Sequence, residues 1–228
     1  MEYKVIGKVV PAVEITLNRG ETMFTQSGGM FYQSEGIEMN TNTRGGALKG
    51  LGRMLAGESL FMAHYTAHVD NAKIAFAANV AGSVVPVDVS LIPGMIIQKR
   101  AFLCAQDSVQ LETVFNKRVG AGLFGGEGFI MQQLKGSGMA FLEVDGDLVQ
   151  RDLAAGEVLK VDTGNIVGFS PSVKYEIETV KGLGNMFLGG EGFFNTKLTG
   201  PGRVFMQTMN FTEFCSSIAM AMPASSKG

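Results

Sequence analysis

Apolar and polar residues alternate along much of the chain, most regularly over residues 85–91, 109–113 and 173–179. A period of two is typical of strands that bury one face. Glycines recur between these runs at turn spacing, and no long segment with a helical period alternates with them. The pattern predicts an all-β protein of β-sandwich or double-stranded β-helix-like units.

The chain also carries an internal repeat. The turn L-x-x-G-E occurs at residues 17–21 and 153–157, and residues 91–95 give a variant in which Met95 replaces the glutamate. A G-G-E-G-F motif occurs at 125–129 and 189–193, with a weaker copy beginning at Gly57. These markers predict one compact module over residues 1–228, made of three tandem units at approximately 10–80, 84–147 and 148–210.

The duplicated motif contains two glutamates that could be read as a catalytic pair. Both glutamates occupy the same position of the repeat, which favours a structural role that each unit uses again. We therefore predict structural functions for the motif residues Gly126, Glu127, Gly128, Gly190, Glu191 and Gly192.

Two short helices interrupt the β pattern. Leu48, Leu51 and Leu55 lie on one face of a helix predicted over 47–55. Near the end of the chain, Asn210 precedes Glu213 by three residues, as in a capping box. Apolar residues follow at helical spacing, and they predict a C-terminal helix over approximately 211–221.

Composition narrows the classes of function. The net charge is -2, so the chain lacks the overall positive charge that usually attracts proteins to nucleic acid. Only 18% of the residues are charged while 46% are hydrophobic, a balance that suits obligate protein contacts. No signal peptide or membrane span is expected. Two cysteines are too few for a disulfide framework, so the expected location is the cytoplasm.

Few residues offer candidate chemistry. His64 and His68 are the only histidines, and their spacing places them on one face of a strand or a helix. They are weak metal candidates, because a cupin-like site would need a third nitrogen ligand and a carboxylate such as Asp70 or Glu58. The glycine-rich segment at 44–53 lacks the lysine and hydroxyl order of a phosphate-binding loop. No catalytic residue and no cofactor is predicted.

The L-x-x-G-E turn, the Arg- and Gly-rich segment at 44–59, the duplicated G-G-E-G-F and the apolar C-terminal stretch resemble a bacterial family. That family is related to the mitochondrial biogenesis protein "altered inheritance of mitochondria 24", and the resemblance covers residues 3–222. It implies stacked β-units similar to those of the trp RNA-binding attenuation protein, and ring-like trimers. The mitochondrial relative is linked to inner-membrane organisation. No catalytic, RNA-binding or tryptophan-binding residue carries over.

We therefore expect a non-enzymatic, self-assembling scaffold or interaction protein, a homotrimer with an unknown protein partner that could be membrane-associated. The trimer number comes from the resemblance. The alternatives are a cupin-like small-ligand or metal-binding protein, which His64 and His68 would serve, and an RNA-binding protein by analogy of fold. Nucleic acid is not an expected partner.

Overall fold

The computed structural model describes residues 1–26, 29–42, 62–117, 129–179 and 194–222. The predicted helix at 47–55 and the motif residues Gly126, Glu127, Gly128, Gly190, Glu191 and Gly192 lie outside the described residues. Among the described residues, strands account for nearly all of the regular structure, and they form four sheets. The all-β prediction is confirmed.

Three groups of strands follow one another along the chain. The first group contains β1 (Glu2–Ile6), β2 (Ala12–Leu17), β3 (Thr22–Thr25), β4 (Met30–Gln33), β5 (Ile37–Asn42), β6 (Met62–Ala67) and β7 (Ala72–Ala77). The second contains β8 (Gly82–Asp88), β9 (Ile96–Gln98), β10 (Phe102–Gln106), β11 (Val109–Lys117), β12 (Phe129–Gly136) and β13 (Met139–Asp145). The third contains β14 (Leu148–Leu153), β15 (Val158–Asp162), β16 (Ile166–Phe169), β17 (Lys174–Thr179), β18 (Phe194–Thr199) and β19 (Gly202–Gln207).

Strand pairing follows one scheme in all three groups. In the first group β7 lies between β2 and β4, and β6 lies between β3 and β5. In the second, β13 lies between β8 and β10, and β12 between β9 and β11. In the third, β19 lies between β14 and β16, and β18 between β15 and β17. The prediction of three tandem units stays a prediction, and this threefold pairing supports it.

The four sheets combine these groups. Their strand orders are β1-β2-β7-β4, β5-β6-β3-β10-β13-β8, β11-β12-β9-β16-β19-β14 and β15-β18-β17. Each six-stranded sheet therefore joins two successive groups through one strand pair, β3 with β10 or β9 with β16. We call these two pairs the internal joints.

The chain divides into two compact units. The first comprises residues 1–94, 100–111 and 134–144, and the second comprises 95–99, 112–133 and 145–228. A cluster of buried side chains that includes Ile15, Ile74 and Phe141 forms the core of the first. A cluster that includes Phe129, Phe169 and Leu198 forms the core of the second.

The structure explains the L-x-x-G-E turns. Gly20 and Gly156 have φ of 87° and 78°, a region that glycine enters without steric cost. The glutamate after each glycine folds back, so that Glu21 Oε2 accepts from Asn18 N at 2.7 Å and Glu157 Oε2 accepts from Ala154 N at 2.8 Å. The motif is thus a turn that bonds to itself, between β2 and β3 in the first group and between β14 and β15 in the third.

The middle turn differs from the sequence alignment. Leu17 and Leu153 are buried, but Leu91 is 79% exposed. Val89 fills the buried position instead, and its N donates to Gly138 O at 3.0 Å. The L-x-x-G pattern at 91–94 is therefore shifted by two residues from the structural equivalent of the other turns.

One α-helix lies in the described part of the chain, α1 (Phe211–Ala221), where the spacing predicts a helix. Asn210 caps it, because its side-chain oxygen accepts from the N atoms of Thr212 and Glu213. Asn210 Nδ2 also donates to Asp162 Oδ1 at 2.9 Å. The first turn of the helix is thereby attached to the 3-10 turn at residues 163–165.

Candidate functional site

The two histidines bind separate carboxylates. His64 Nδ1 lies 3.1 Å from Asp107 Oδ1, and the imidazole stacks on Phe24 with ring centroids 5.6 Å apart. His68 Nε2 lies 2.9 Å from Glu38 Oε2. The His64 side chain is 12% exposed and the His68 side chain 58%. The structure therefore gives each histidine its own partner and environment.

The carboxylates proposed as further metal ligands are engaged elsewhere or lie outside the described residues. Asp70 Oδ1 accepts from Arg19 N at 3.0 Å, and Glu58 falls in the undescribed segment. Within the described ranges, no three His, Cys, Asp or Glu side chains are grouped as metal ligands would be. The metal hypothesis for His64 and His68 stays a hypothesis without a third ligand.

The cysteines occupy different environments. Cys104 lies in the core of the first unit, and burial raises the pKa of its thiol. Cys215 is exposed on α1. A thiol with a raised pKa is mostly protonated at neutral pH and is a poor nucleophile.

Two strands, β4 and β15, are the last strands of their sheets, although their counterparts in the other groups pair with a neighbouring group. At the internal joints, β10 and β16 each pair with a strand of the preceding group. Their counterpart in the first group is β4, which pairs with β7 and is the last strand of its sheet. Similarly, β3 and β9 pair with the following group, while their counterpart β15 is the last strand of its sheet. We call β4 and β15 the terminal edges.

The equivalence of these strands extends to individual residues. In β4, β10 and β16 the pairing skips one residue at the same place, next to the pairs Tyr32 with Ala75, Cys104 with Phe141 and Gly168 with Phe205. The skipped residues are Phe31, Leu103 and Val167. An irregularity that recurs at the same place aligns the three strands without ambiguity.

Burial separates the terminal edge β4 from the internal joints. Leu103 and Val167 are 3% and 1% exposed, but Phe31 is 60% exposed. The preceding residue repeats the contrast, since Met30 is 37% exposed and its counterparts Phe102 and Ile166 are buried. An apolar pair is therefore uncovered in the first group at positions that the other two groups bury.

The terminal edge β15 also has apolar side chains that are exposed or half-buried. Val158 is 48% exposed, and Val161 is half-buried. Because β15 pairs with β18, Val161 lies opposite Thr196. The equivalent pairs are Thr25 with Ala63 in the first group and Ile97 with Gln132 in the second. Thr25 and Ile97 are 2% and 0% exposed.

A polar cluster lies beside the first terminal edge. Tyr32 of β4 donates a hydrogen bond to Glu14 of β2, and Lys4 Nζ lies 3.0 Å from Glu14 Oε1. The pKa of Glu14 is lowered to about 2, mainly because Tyr32 donates this hydrogen bond and secondly because Lys4 donates another. These contacts fix β4 in place although its outer edge is uncovered.

The sequence did not single out the terminal edges. Phe31 lies in the apolar run Met-Phe-Tyr, which looks like a core strand, and only the structure shows that Phe31 is exposed and that β4 has no second partner strand among the described residues. An alignment of Phe31 with Leu103 and Val167 would have pointed to β4 as the counterpart of the two joint strands. That alignment depends on the residue that the pairing skips, which the spacing of the turns does not reveal.

In the described part of the chain, no helix has the length and apolar character to cross a membrane.

The fold and its uncovered edges define an all-β protein whose sheets join successive strand groups. The chain belongs to the family described as Mitochondrial biogenesis AIM24, whose model matches residues 3–209. This confirms the family resemblance. An uncharacterized protein of Streptococcus pyogenes serotype M6 is 30% identical over 225 residues, which are 95% of this chain and 88% of that protein. A crystal structure of a Streptococcus pyogenes protein superimposes with a TM-score of 0.78 at 26% identity, covering 97% of this chain and 99% of that one.

Proposed function

We propose that the protein is a non-enzymatic, self-assembling scaffold or interaction protein whose copies join end to end as a homotrimer. The observation that carries the proposal is the exposure of Phe31, whose counterparts Leu103 and Val167 are buried at internal joints. Exposed apolar side chains favour association with another strand when they lie on an edge that, among the described strands, has no partner. The number three follows the family resemblance.

The partner of each terminal edge is the other terminal edge, on a second copy. Internal joints pair β3 of the first group with β10 of the second, and β9 of the second group with β16 of the third. In the chain, the third group offers β15 for this pairing and the first group offers β4. A β15–β4 pair between copies would repeat the strand order of the internal joints.

The internal joints also give the expected register. At the first, Phe24 is opposite Ala105, and at the second, Ile96 is opposite Phe169. The corresponding residues of the terminal edges are Lys160 and Gln33. We therefore expect Lys160 of one copy to lie opposite Gln33 of the next.

Such a contact uses different surfaces on its two sides. Repetition of a head-to-tail contact produces a closed ring when the rotation between copies returns to the start, and a filament otherwise. A closed ring leaves no copy with an uncovered β4 or β15. The proposal is therefore a closed ring and not an open filament.

The experiment compares the solution mass of the wild type with two aspartate variants by sedimentation velocity. Phe31→Asp places a charge in the proposed contact, and Leu91→Asp places the same charge at an exposed turn that the proposal does not use. We expect the wild type and Leu91→Asp to have the mass of three chains and Phe31→Asp to have the mass of one. A wild type with the single-chain mass of 24.3 kDa, or a Phe31→Asp variant that keeps the assembly, would refute the proposal.

A further inference from the structure

The C-terminal helix α1 presents an uncovered apolar face. Phe214 and Ile218 are four residues apart, so they lie on the same face, and Met222 follows directly after the helix. These side chains are 47%, 46% and 65% exposed. No charged residue occurs between Glu213 and Met222. This face therefore lacks the charge that keeps an exposed helix in water.

The start of α1 is fixed to the second unit. Asn210 caps the helix and donates to Asp162, and a Cβ on Gly164 would lie only 2.4 Å from Nδ2 of Asn210. The glycine thus permits the close approach that seats the cap. Because its first turn is fixed, the direction of the helix is set by the fold rather than by free motion of the tail.

Chain connections indicate where this helix points in the proposed assembly. The last strand of one group ends close in sequence to the first strand of the next: β7 ends at Ala77 and β8 begins at Gly82, while β13 ends at Asp145 and β14 begins at Leu148. Connections of three to five residue steps span at most about 10–18 Å. If copies join as the internal joints do, the end of β19 in one copy lies near the start of β2 in the next.

An uncovered apolar surface also lies at the start of β2. The strand β1 and the turn at residues 7–11 form the N-terminal hairpin, in which Val5, Val9 and Val10 are 45%, 69% and 50% exposed. The turn is held in place because Gly82 N donates to Val9 O and Ala78 N donates to Pro11 O, both at 2.9 Å. In the described strands, β8 and β14 end their sheets without a counterpart of β1.

From these observations we infer that the apolar face of α1 packs on the N-terminal hairpin of the neighbouring copy. This inference rests on the proposed function. Both features occur at the ends of the strand array, both expose apolar side chains, and the chain connections bring them together. A lipid surface suits the helix less well, since helices that lie on membranes typically carry Lys and Arg beside the apolar face, and α1 has none.

The native thiol of Cys215 gives a direct test, since it is exposed on α1 and Cys104 is buried. Val9→Cys adds a thiol to the hairpin, and Leu91→Cys is the matched control at another exposed apolar position. Each variant is treated with a short bifunctional maleimide and separated under denaturing conditions, while its native mass is measured in parallel. We expect covalent links between chains for Val9→Cys and none for Leu91→Cys.

The outcomes separate this inference from the proposed function. Assembly of Val9→Cys without a link between chains, or a link confined within one chain, would overturn the helix contact and leave the end-to-end assembly intact. A single-chain mass would overturn both. Flotation of the wild type with phosphatidylcholine vesicles, abolished by Phe214→Asp, would assign the helix to a lipid surface and also overturn the inference.

Discussion

The internal joints and the terminal edges use the same strands in two different situations. At β10 and β16 the residue skipped by the pairing is buried, as Leu103 and Val167 show, whereas Phe31 of β4 is 60% exposed. The backbone irregularity is the same at all three places. The difference therefore comes from the presence of a neighbouring strand group and not from the local conformation.

Truncation at equivalent positions gives the largest expected effect. Leu103→Ala removes a side chain buried in the first unit and should lower the free energy of unfolding by about 2–5 kcal/mol at any protein concentration. Phe31→Ala should instead abolish the rise of Tm with protein concentration that assembly confers on the wild type. Thermal unfolding followed by circular dichroism over a hundredfold range of concentration measures both. Equal, concentration-independent losses would contradict the distinction between joint and edge.

The second internal joint depends on the small size of Gly168. A Cβ at this position would lie 2.6 Å from Ile96 O of the paired strand β9. Gly168→Ala should therefore destabilise the second unit by about 1–3 kcal/mol, which urea unfolding would measure. Ser172→Ala, on the exposed turn after β16, serves as the control and should change little. An unchanged midpoint for Gly168→Ala would show that the joint has room that the structure does not provide.

A smaller effect is expected at the cap of α1. Asn210→Ala removes the acceptor for two backbone N–H groups and should cost about 1 kcal/mol of local stability. Amide hydrogen exchange should become faster in the first turn of α1 and remain unchanged in β19. Slow exchange that persists in the first turn would mean that contacts other than the cap hold the helix.

The smallest effect concerns the polar cluster beside β4. The lowered pKa of Glu14 means that its ionised form stabilises the folded chain above the ordinary value of 4.5, and that this contribution is lost as pH falls toward 2. Glu14→Gln should therefore lower Tm at pH 7, and the difference from the wild type should shrink between pH 4.5 and 2. Tyr32→Phe should show the same trend. A difference in Tm that is independent of pH would place the stabilisation elsewhere.

Period-two alternation and turn glycines were sufficient to predict the all-β class, because each strand of this fold has one buried face. The Asn210 signal also predicted α1, since a cap acts within one turn of the chain. The shifted turn at Val89 and Leu91 shows the limit: both residues are apolar, and only cross-strand hydrogen bonds decide which one is buried. The terminal edges could not be predicted from the sequence for a related reason. Phe31 is apolar, as core residues are, and its exposure depends on the absence of a neighbouring strand group.

The most direct test of the end-to-end account is a disulfide across the proposed β15–β4 contact. Residues directly opposite in antiparallel strands have Cα atoms about 4.5–5.5 Å apart, which a disulfide can span. Gln33→Cys combined with Lys160→Cys, in a background with Cys215→Ser, should give covalent trimers on a denaturing gel after mild oxidation. Gln33→Cys with Val161→Cys is the matched control, because neighbouring side chains point to opposite faces. Monomers from the first pair, or equal linkage from both pairs, would contradict the account.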